Sequence, residues 1–279
     1  MTIDSVLFLH PGMMGVSLAA ACGPEAMWVS EGRSGDTAER AESANLRDVG
    51  SLHDGLAAAS CVVSICPPAA AEGLAAEVAE AGFDGLYVDA NAISPATSRR
   101  IAARFSDYVD GSVIGPPANQ AGTTRLYLSG NSAARAAELW QSSNVDARVL
   151  DGDAGAASAL KMAYASWTKI GSAMAIAIRA LAATEGVDQA LVDEWELSQP
   201  GMVARSERAA AGAGPKAWRF IGEMHQIADA FEAAGLPSGF ADAGAAVYEQ
   251  LAPLKGSTAP SLDRALALLL EEGAGETHP

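Results

Sequence analysis

The sequence predicts an α/β fold in which an amino-terminal domain with a mostly parallel sheet is followed by an all-α domain. Short apolar runs of strand type alternate with helical patterns over the first half of the chain, as in βαβ units. Strand-like runs stop after about residue 152. The length of 279 residues also allows two domains, since single hydrophobic cores stop growing at about 250–300 residues.

The strand predictions depend on apolar runs that are bounded by turn residues. Val62, Val63 and Ile65 form an almost continuous apolar run, which is typical of a strand buried on both faces of a parallel sheet. The predicted strands cover residues 5–9, 26–30, 61–66, 85–90, 108–114, 125–128 and 147–150.

Helical patterns separate these strands and then continue without them. One long helix over residues 154–183 is predicted by apolar side chains at helical spacing, such as Leu160, Trp167 and Met174. The other predicted helices cover residues 13–21, 36–45, 69–81, 95–105, 132–141, 189–196, 202–211, 216–234, 243–251 and 261–272. We therefore expect domains at 1–152 and 153–272, with a disordered tail at 273–279.

Charge and composition exclude several classes of partner. The 34 acidic residues outnumber the 18 lysines and arginines, and the net charge of −16 disfavours binding to nucleic acids or anionic membranes. With no secretory or membrane-spanning pattern, we expect a cytoplasmic protein that acts on a small-molecule substrate. Cys22, Cys61 and Cys66 show neither CxxC spacing nor histidines at ligand spacing, so no disulfide or metal site is predicted.

A short turn between the first strand and the first helix carries two glycines. Gly12, Met13, Met14 and Gly15 follow the strand, and glycines at such a turn let backbone N–H groups approach a pyrophosphate at the helix N-terminus. His10 occupies the place of the first of the three glycines in the dinucleotide-binding fingerprint. The pattern predicts a Rossmann-type cofactor site, and a tight turn without a ligand is the alternative.

The residues after the second strand bear on the choice of cofactor. Glu31 lies at about the distance along the chain at which an acidic residue binds the ribose 2′-hydroxyl of NAD. Arg33 and Ser34 offer a guanidinium and a hydroxyl for the 2′-phosphate of NADP. We predict NADP as the cofactor, with NAD possible, and an exposed loop arginine as the alternative explanation of Arg33.

Lys161 lies in an otherwise apolar stretch of the predicted long helix. Tyr164 and Thr168 follow at spacings that place them on the same helical face. A lysine in such surroundings either extends to water or serves a site, where it can donate a proton to a carbonyl oxygen. The helical periodicity alone favours a lysine that extends to water.

Together, the glycine turn, Arg33-Ser34 and the lysine helix resemble those of the β-hydroxyacid dehydrogenase superfamily, which includes 3-hydroxyisobutyrate and 6-phosphogluconate dehydrogenases. The resemblance covers nearly the whole chain. Its details are most similar to a branch of phosphogluconate-dehydrogenase-like proteins with a distinct C-terminal domain. The resemblance implies a Rossmann domain that binds NAD(P), a helical domain for substrate binding and dimerisation, a homodimer, and Lys161 as the catalytic residue.

The resemblance also implies roles for residues at the ends of later strands. Cys66 and Pro67 correspond to a loop that lies along the cofactor, and Asn91 to a residue at the nicotinamide ribose. Gly115 and Pro116 correspond to a loop that shapes the substrate pocket, beside Tyr164 and Thr168.

Three positions depart from the family pattern. Ile114 and Ala165 stand where the family has carboxylate-binding Ser and Asn, and Glu223 lies near the place of a second family lysine. The sequence therefore predicts an NADP-dependent oxidoreductase that interconverts an alcohol and a carbonyl on a small polar metabolite. An NADPH-dependent imine reductase and a non-catalytic dinucleotide-binding protein remain the alternatives.

Overall fold

The computed structural model describes residues 3–23 and 25–273. These residues form two compact units, of which the first ends at Met162 and the second begins at Ala163. The boundary lies beyond the predicted position at residue 152, because the start of the long helix is bonded to the sheet. The predicted tail lies outside the described residues except for Gly273, which ends the last helix.

The first unit is built on a sheet that, in the described part of the chain, has eight strands in the order β3-β2-β1-β4-β5-β6-β7-β8. Every neighbouring pair is parallel except β6 and β7, which are antiparallel. The strands are β1 (Ser5–Leu9), β2 (Glu25–Trp28), β3 (Arg47–Asp48), β4 (Cys61–Ser64), β5 (Leu86–Asp89), β6 (Tyr108–Ile114), β7 (Thr124–Ser129) and β8 (Val145–Val149). The predicted α/β class is confirmed.

Helices connect most of these strands. They are α1 (Met13–Ala20), α2 (Gly35–Ser43), α3 (Leu52–Ala58), α4 (Pro68–Glu80), α5 (Pro95–Ala102) and α6 (Ala133–Ala137). The prediction missed β3 and α3, because a two-residue edge strand and a two-turn helix are too short to show a clear period. The antiparallel pair follows from the loop at 115–123, which has no crossover helix to turn the chain parallel.

The core of the first unit lies on both faces of the sheet. Val6 and Phe8 pack into one apolar cluster and Leu7 and Leu9 into the other, since successive side chains of a strand point to opposite faces. The chain leaves β1 toward β2 on one side and returns to β4 on the other. In open parallel sheets, ligands bind at the carboxyl ends of the strands where the order reverses, which here is between β1 and β4.

The second unit is helical. The predicted long helix is one continuous helical run, composed of α7 (Ala156–Ala165), a π-helical turn (Ser166–Ile170) and α8 (Gly171–Thr184). The remaining helices are α9 (Asp188–Ser198), α10 (Met202–Ala213), α11 (Ala217–Ala233), α12 (Gly239–Leu251) and α13 (Leu262–Gly273). Within the unit, α8 packs against α10, α12 and α13, and α11 packs along α12. None of the helices described for this chain has the length and apolar character needed to cross a membrane.

Candidate functional site

The turn between β1 and α1 has the shape that a dinucleotide cradle requires. A Cβ on Gly15 would lie 2.9 Å from the carbonyl oxygen of His10 and 2.8 Å from Cγ2 of Ile65, so only glycine fits there. Gly12 has open space around its Cα and begins α1 with no acidic residue in the first helical turn. Backbone N–H groups at this helix end are therefore available to an anion.

His10 takes the backbone conformation that the missing glycine would have. Its φ is +64°, in the left-handed region, and its carbonyl accepts a hydrogen bond from the Gly12 N–H at 2.7 Å. Histidine at the first fingerprint position therefore preserves the backbone geometry of the turn. Burial, together with the charge of Arg33, lowers the pKa of His10 to about 4, so the imidazole is neutral at pH 7.

Arg33 lies close enough to this turn for its charge to act on His10. Nδ1 of His10 and Nε of Arg33 are both buried, and neither has a hydrogen-bond partner among the described residues. Ser34 begins α2, and its hydroxyl pairs with that of Thr37 at 3.1 Å. Glu31 is exposed in the same loop. Arg33 is thus part of the turn region, whereas Glu31 remains at the surface.

Asn91 ties the ends of β4 and β5 together. Its Oδ1 accepts from the Cys66 N–H at 2.5 Å, and its Nδ2 donates to the Ser64 hydroxyl at 3.0 Å. These bonds assign Asn91 to positioning the loop of Cys66 and Pro67, and its contact with a nicotinamide ribose stays a prediction. Burial raises the pKa of the Cys66 thiol to about 12, so this thiol is not a nucleophile at neutral pH.

Asp110, which the sequence reasoning missed, anchors the start of α7 to β6. The carboxylate is fully buried. Its Oδ1 accepts from the hydroxyls of Ser98 at 3.0 Å and Ser158 at 2.6 Å. Its Oδ2 accepts from the N–H groups of Gly155 at 3.0 Å and Ser158 at 2.9 Å, and from the Ser129 hydroxyl at 3.3 Å. A carboxylate at a helix N-terminus also interacts favourably with the helix dipole.

Lys161 follows this anchor on α7 and reaches the end of β6. Its Nζ donates to the carbonyl oxygen of Val113 at 2.8 Å, and the side chain is half-buried. The next loop is held in place, because Thr124 donates to the Pro116 carbonyl at 2.6 Å. Gly115 has a φ of +127°, and a Cβ there would collide with the carbonyl of Thr123. The structure therefore brings Lys161 to the strand end that leads into the predicted substrate loop.

Three predicted substrate residues belong to the helical unit. Tyr164 is exposed, and the Thr168 hydroxyl donates to carbonyl oxygens of its own helix, those of Tyr164 at 3.3 Å and Ala165 at 3.2 Å. Glu223 is already paired with Lys169 at 2.9 Å in a largely buried ion pair. The sequence does not indicate Lys169, because its partner Glu223 lies far along the chain and no local pattern links the two.

Metal binding finds no support in the described part of the chain. It contains no group of three or more His, Cys, Asp or Glu side chains that could hold an ion. Cys22, Cys61 and Cys66 are all free thiols.

The comparisons with known proteins agree with this architecture. Residues 182–251 match a domain of unknown function, DUF1932. No curated protein matches the chain. The conserved protein MTH1747, of unknown function and described as structurally similar to 3-hydroxyacid dehydrogenases, is 25% identical, with 90% of this chain and 97% of that chain covered and a TM-score of 0.70.

Two structures of enzymes share the fold at lower identity. The 3-hydroxyisobutyrate dehydrogenase of Mycobacterium tuberculosis, solved with L-serine, is 18% identical, with 96% of this chain and 99% of that chain covered and a TM-score of 0.71. The reductive aminase of Aspergillus terreus, solved with NADPH and ethyl levulinate, is 15% identical, with 96% and 100% covered and a TM-score of 0.54. These matches agree with the resemblance predicted from the sequence: the chain shares the fold of 3-hydroxyacid dehydrogenases, and part of its helical unit matches DUF1932.

Proposed function

We propose that this protein is an NADP-dependent oxidoreductase that interconverts an alcohol and a carbonyl on a small polar metabolite. The observation that carries the proposal is the position of Lys161, whose Nζ is bound to the Val113 carbonyl at 2.8 Å, at the strand end before Gly115 and Pro116. The fold shared with 3-hydroxyacid dehydrogenases supports this reaction class.

The β1–α1 turn fits a dinucleotide. Gly15 allows the close backbone approach, and the N-terminus of α1 would hold the pyrophosphate. Arg33, with Nε buried and no hydrogen-bond partner among the residues described, would hold the 2′-phosphate together with Ser34. When bound, the cofactor supplies or accepts the hydride.

Lys161 would move the proton of the same reaction. In reduction its ammonium donates a proton to the carbonyl oxygen, and in oxidation the neutral amine accepts the proton of the alcohol. The bond to Val113 fixes where the ammonium lies, and Asp110 fixes the helix that carries it. A general acid held in this way is worth roughly 10²–10⁴ in rate.

The test of this role compares Lys161→Ala with wild type on a substrate identified by screening hydroxyacids, amino alcohols and imines. We expect kcat to fall by roughly 10²–10⁴, while the Kd for NADPH changes little. Lys161→Arg keeps the charge but is a poor proton donor, and should stay nearly inactive. Near-full turnover by Lys161→Ala would show that another group is the acid.

The cofactor preference has a separate test. Arg33→Ala should weaken NADPH binding by about 10- to 100-fold, since a charge-assisted hydrogen bond contributes about 1.5–3 kcal/mol. NADH binding should not change. Glu31→Gln is the matched control, and it should leave the NADPH Kd within about twofold. If the two variants affect NADPH equally, the 2′-phosphate does not contact Arg33.

An imine reductase is the second candidate. It is favoured by Ile114 and Ala165, which stand where the family has carboxylate-binding side chains, and by the shared fold of the reductive aminase. Turnover of cyclic imines with NADPH, but of no hydroxyacid, would establish this reading. The non-catalytic alternative depended on His10, and the glycine-like φ of that residue removes its main support.

We also propose that the protein is a homodimer. Trp167, Met174 and Leu181 recur every seven residues along the long helical run and are 68%, 47% and 63% exposed. An apolar stripe of this kind is typical of a helix that packs against a partner. Light scattering should give twice the chain mass, and Leu181→Glu should shift the protein toward monomer. A monomeric wild type would contradict the proposal.

A further inference from the structure

A cavity of about 300 Å³ lies within the helical unit and contains none of the residues predicted to hold the cofactor. The π-helical turn, α8, α10, α11 and α12 contribute to its lining. Small side chains on α10 leave room for a ligand at the wall formed by Ala209, Gly212 and Ala213. Thr168, one of the predicted substrate residues, also lines it, so the cavity shares one residue with the predicted substrate pocket and none with the predicted cofactor site.

Three cations line this cavity although the chain carries a net charge of −16. They are Lys169, Arg205 and Arg208, and no Asp or Glu is among the described residues that line it. Glu223 neutralises Lys169 at 2.9 Å. Neither arginine forms an ion pair with any described residue. Within the described part of the chain, two guanidinium groups around one cavity therefore have no ion-pair partner.

Arg205 is held in place before any ligand binds. Its guanidinium lies 4.7 Å from the ring centre of Trp167 in a cation–π contact. A Cβ on Gly171 would lie 2.8 Å from its Nη2, so the absence of a side chain at that position allows the approach. Pre-organised arginine loses less side-chain entropy on binding an anion than a free one.

The π-helical turn that carries Lys169 is held by aromatic residues. The Tyr248 hydroxyl donates to the Lys169 carbonyl at 2.8 Å, and the Lys169 ammonium lies 4.7 Å from the ring centre of Phe220. Phe220 and Tyr248 pack edge to face at 5.3 Å. Departures from the α-helical pattern of this kind occur often at functional sites.

We propose that this cavity binds the dianionic group of a small metabolite, a phosphate or a dicarboxylate, between the guanidinium groups of Arg205 and Arg208. Two uncompensated arginines match a doubly charged oxyanion in charge and in hydrogen-bonding geometry. The ammonium of Lys169, already paired with Glu223, lines the same cavity without adding net charge. Because Thr168 of the predicted substrate pocket lines this cavity, the proposal deepens the proposed function by naming a dianionic group, while binding of the dianion can be measured without turnover.

The experiment is calorimetric titration of the full chain with inorganic phosphate and, separately, with malonate, at constant ionic strength. Arg208→Ala should weaken binding of the dianion by at least about tenfold, since one charge-assisted bond contributes about 1.5–3 kcal/mol. Arg264→Ala removes an equally exposed arginine of the same unit that does not line the cavity. This matched control should keep the wild-type Kd. Arg33→Ala should remove only phosphate binding at the predicted cofactor turn and leave the Arg208-dependent binding unchanged.

The phosphate and malonate titrations show whether the site prefers a phosphate or a dicarboxylate. Binding of either anion that is weakened by Arg208→Ala supports the site. Equal weakening by Arg264→Ala would show that only the overall charge matters, which overturns the proposal. Complete loss of binding in Arg33→Ala would place the anion at the cofactor turn and would also overturn it. NADPH titrations of the same variants test the cofactor site separately, so that a failure of the redox proposal can be told apart from a failure of the dianion site.

Discussion

The β1–α1 turn and the β6–α7 junction each bring a strand end and a helix start together, but the first is a local turn of the chain and the second joins distant segments. The turn depends on backbone shape, with Gly15 packed against the His10 carbonyl within a few residues of chain. The junction depends on one buried carboxylate, Asp110, which binds groups 45 and 48 residues further along the chain. A local shape can be recognised as a motif, whereas a long-range hydrogen-bond network cannot.

The largest expected effect comes from breaking the junction. Asp110→Ala leaves buried N–H and O–H donors of Gly155, Ser158 and Ser98 without their acceptor. We expect the free energy of unfolding to fall by about 3–5 kcal/mol. Urea denaturation measures this change. Asp110→Asn keeps one acceptor oxygen and should cost less, and equal costs for the two variants would contradict the assigned network.

Asp89 lies opposite Asp110 on the neighbouring strand, but its carboxyl group has fewer hydrogen-bond partners than that of Asp110. It accepts from the Asn91 N–H at 2.9 Å, but Oδ2 has no hydrogen-bond partner among the described residues. Burial raises its pKa from 3.8 to about 7. The folded protein therefore binds the carboxyl proton of Asp89 more tightly than the unfolded chain does. Its contribution to the free energy of unfolding is fully present below pH 3.8 and is lost as the pH rises through about 7.

Asp89→Asn removes this titration. The variant should be more stable than wild type by about 2–4 kcal/mol at pH 8, with the difference narrowing toward pH 4. Denaturant midpoints measured across that pH range test it. Asp84→Asn, at an exposed carboxylate, is the matched control and should show no such trend. A pH-independent difference for Asp89→Asn would show that the carboxyl is ionised throughout.

Smaller effects are expected at the turn. Gly15→Ala forces a Cβ against the His10 carbonyl and Ile65, and should cost about 1–3 kcal/mol of stability together with NADPH affinity. Gly12→Ala meets open space and should cost less than about 1 kcal/mol of stability. It should nevertheless weaken NADPH binding, because the added methyl lies where the ligand approaches. Unchanged NADPH binding in both variants would contradict a cofactor at this turn.

The smallest effect concerns the backbone of His10. With φ at +64°, His10→Gly should be more stable than His10→Ala by about 1 kcal/mol, because only glycine adopts this conformation without strain. Thermal unfolding of the two variants at pH 7.5 measures the difference. Wild type should also lose stability as pH falls from 6.5 toward 4, since the His10 pKa is lowered to about 4 by folding. Equal stability of the two variants would contradict the assigned φ.

Much of the fold was predictable because its signals are local. Apolar runs such as Val62 and Val63 identified strands buried on both faces, and the loss of such runs after residue 152 identified the helical part. The sequence does not predict β3 and α3, because elements of two and seven residues are too short to show a clear period. The first compact unit extends to Met162, beyond the expected boundary at residue 152, because Gly155 and Ser158 are hydrogen-bonded to Asp110 of the sheet.

The sequence by itself determined the α/β order, the glycine turn with Arg33 beside it and the lysine on its helix, since each is written in residues a few positions apart. Only the tertiary structure decided that His10 behaves as a glycine, that Asn91 positions the Cys66 loop, and that Glu223 is paired with Lys169. It also placed around one cavity two arginines that form no ion pair with any described residue. Hydrogen bonds and charge pairs between residues far apart in the chain leave no period in the sequence, so they appear only when folding brings the partners together.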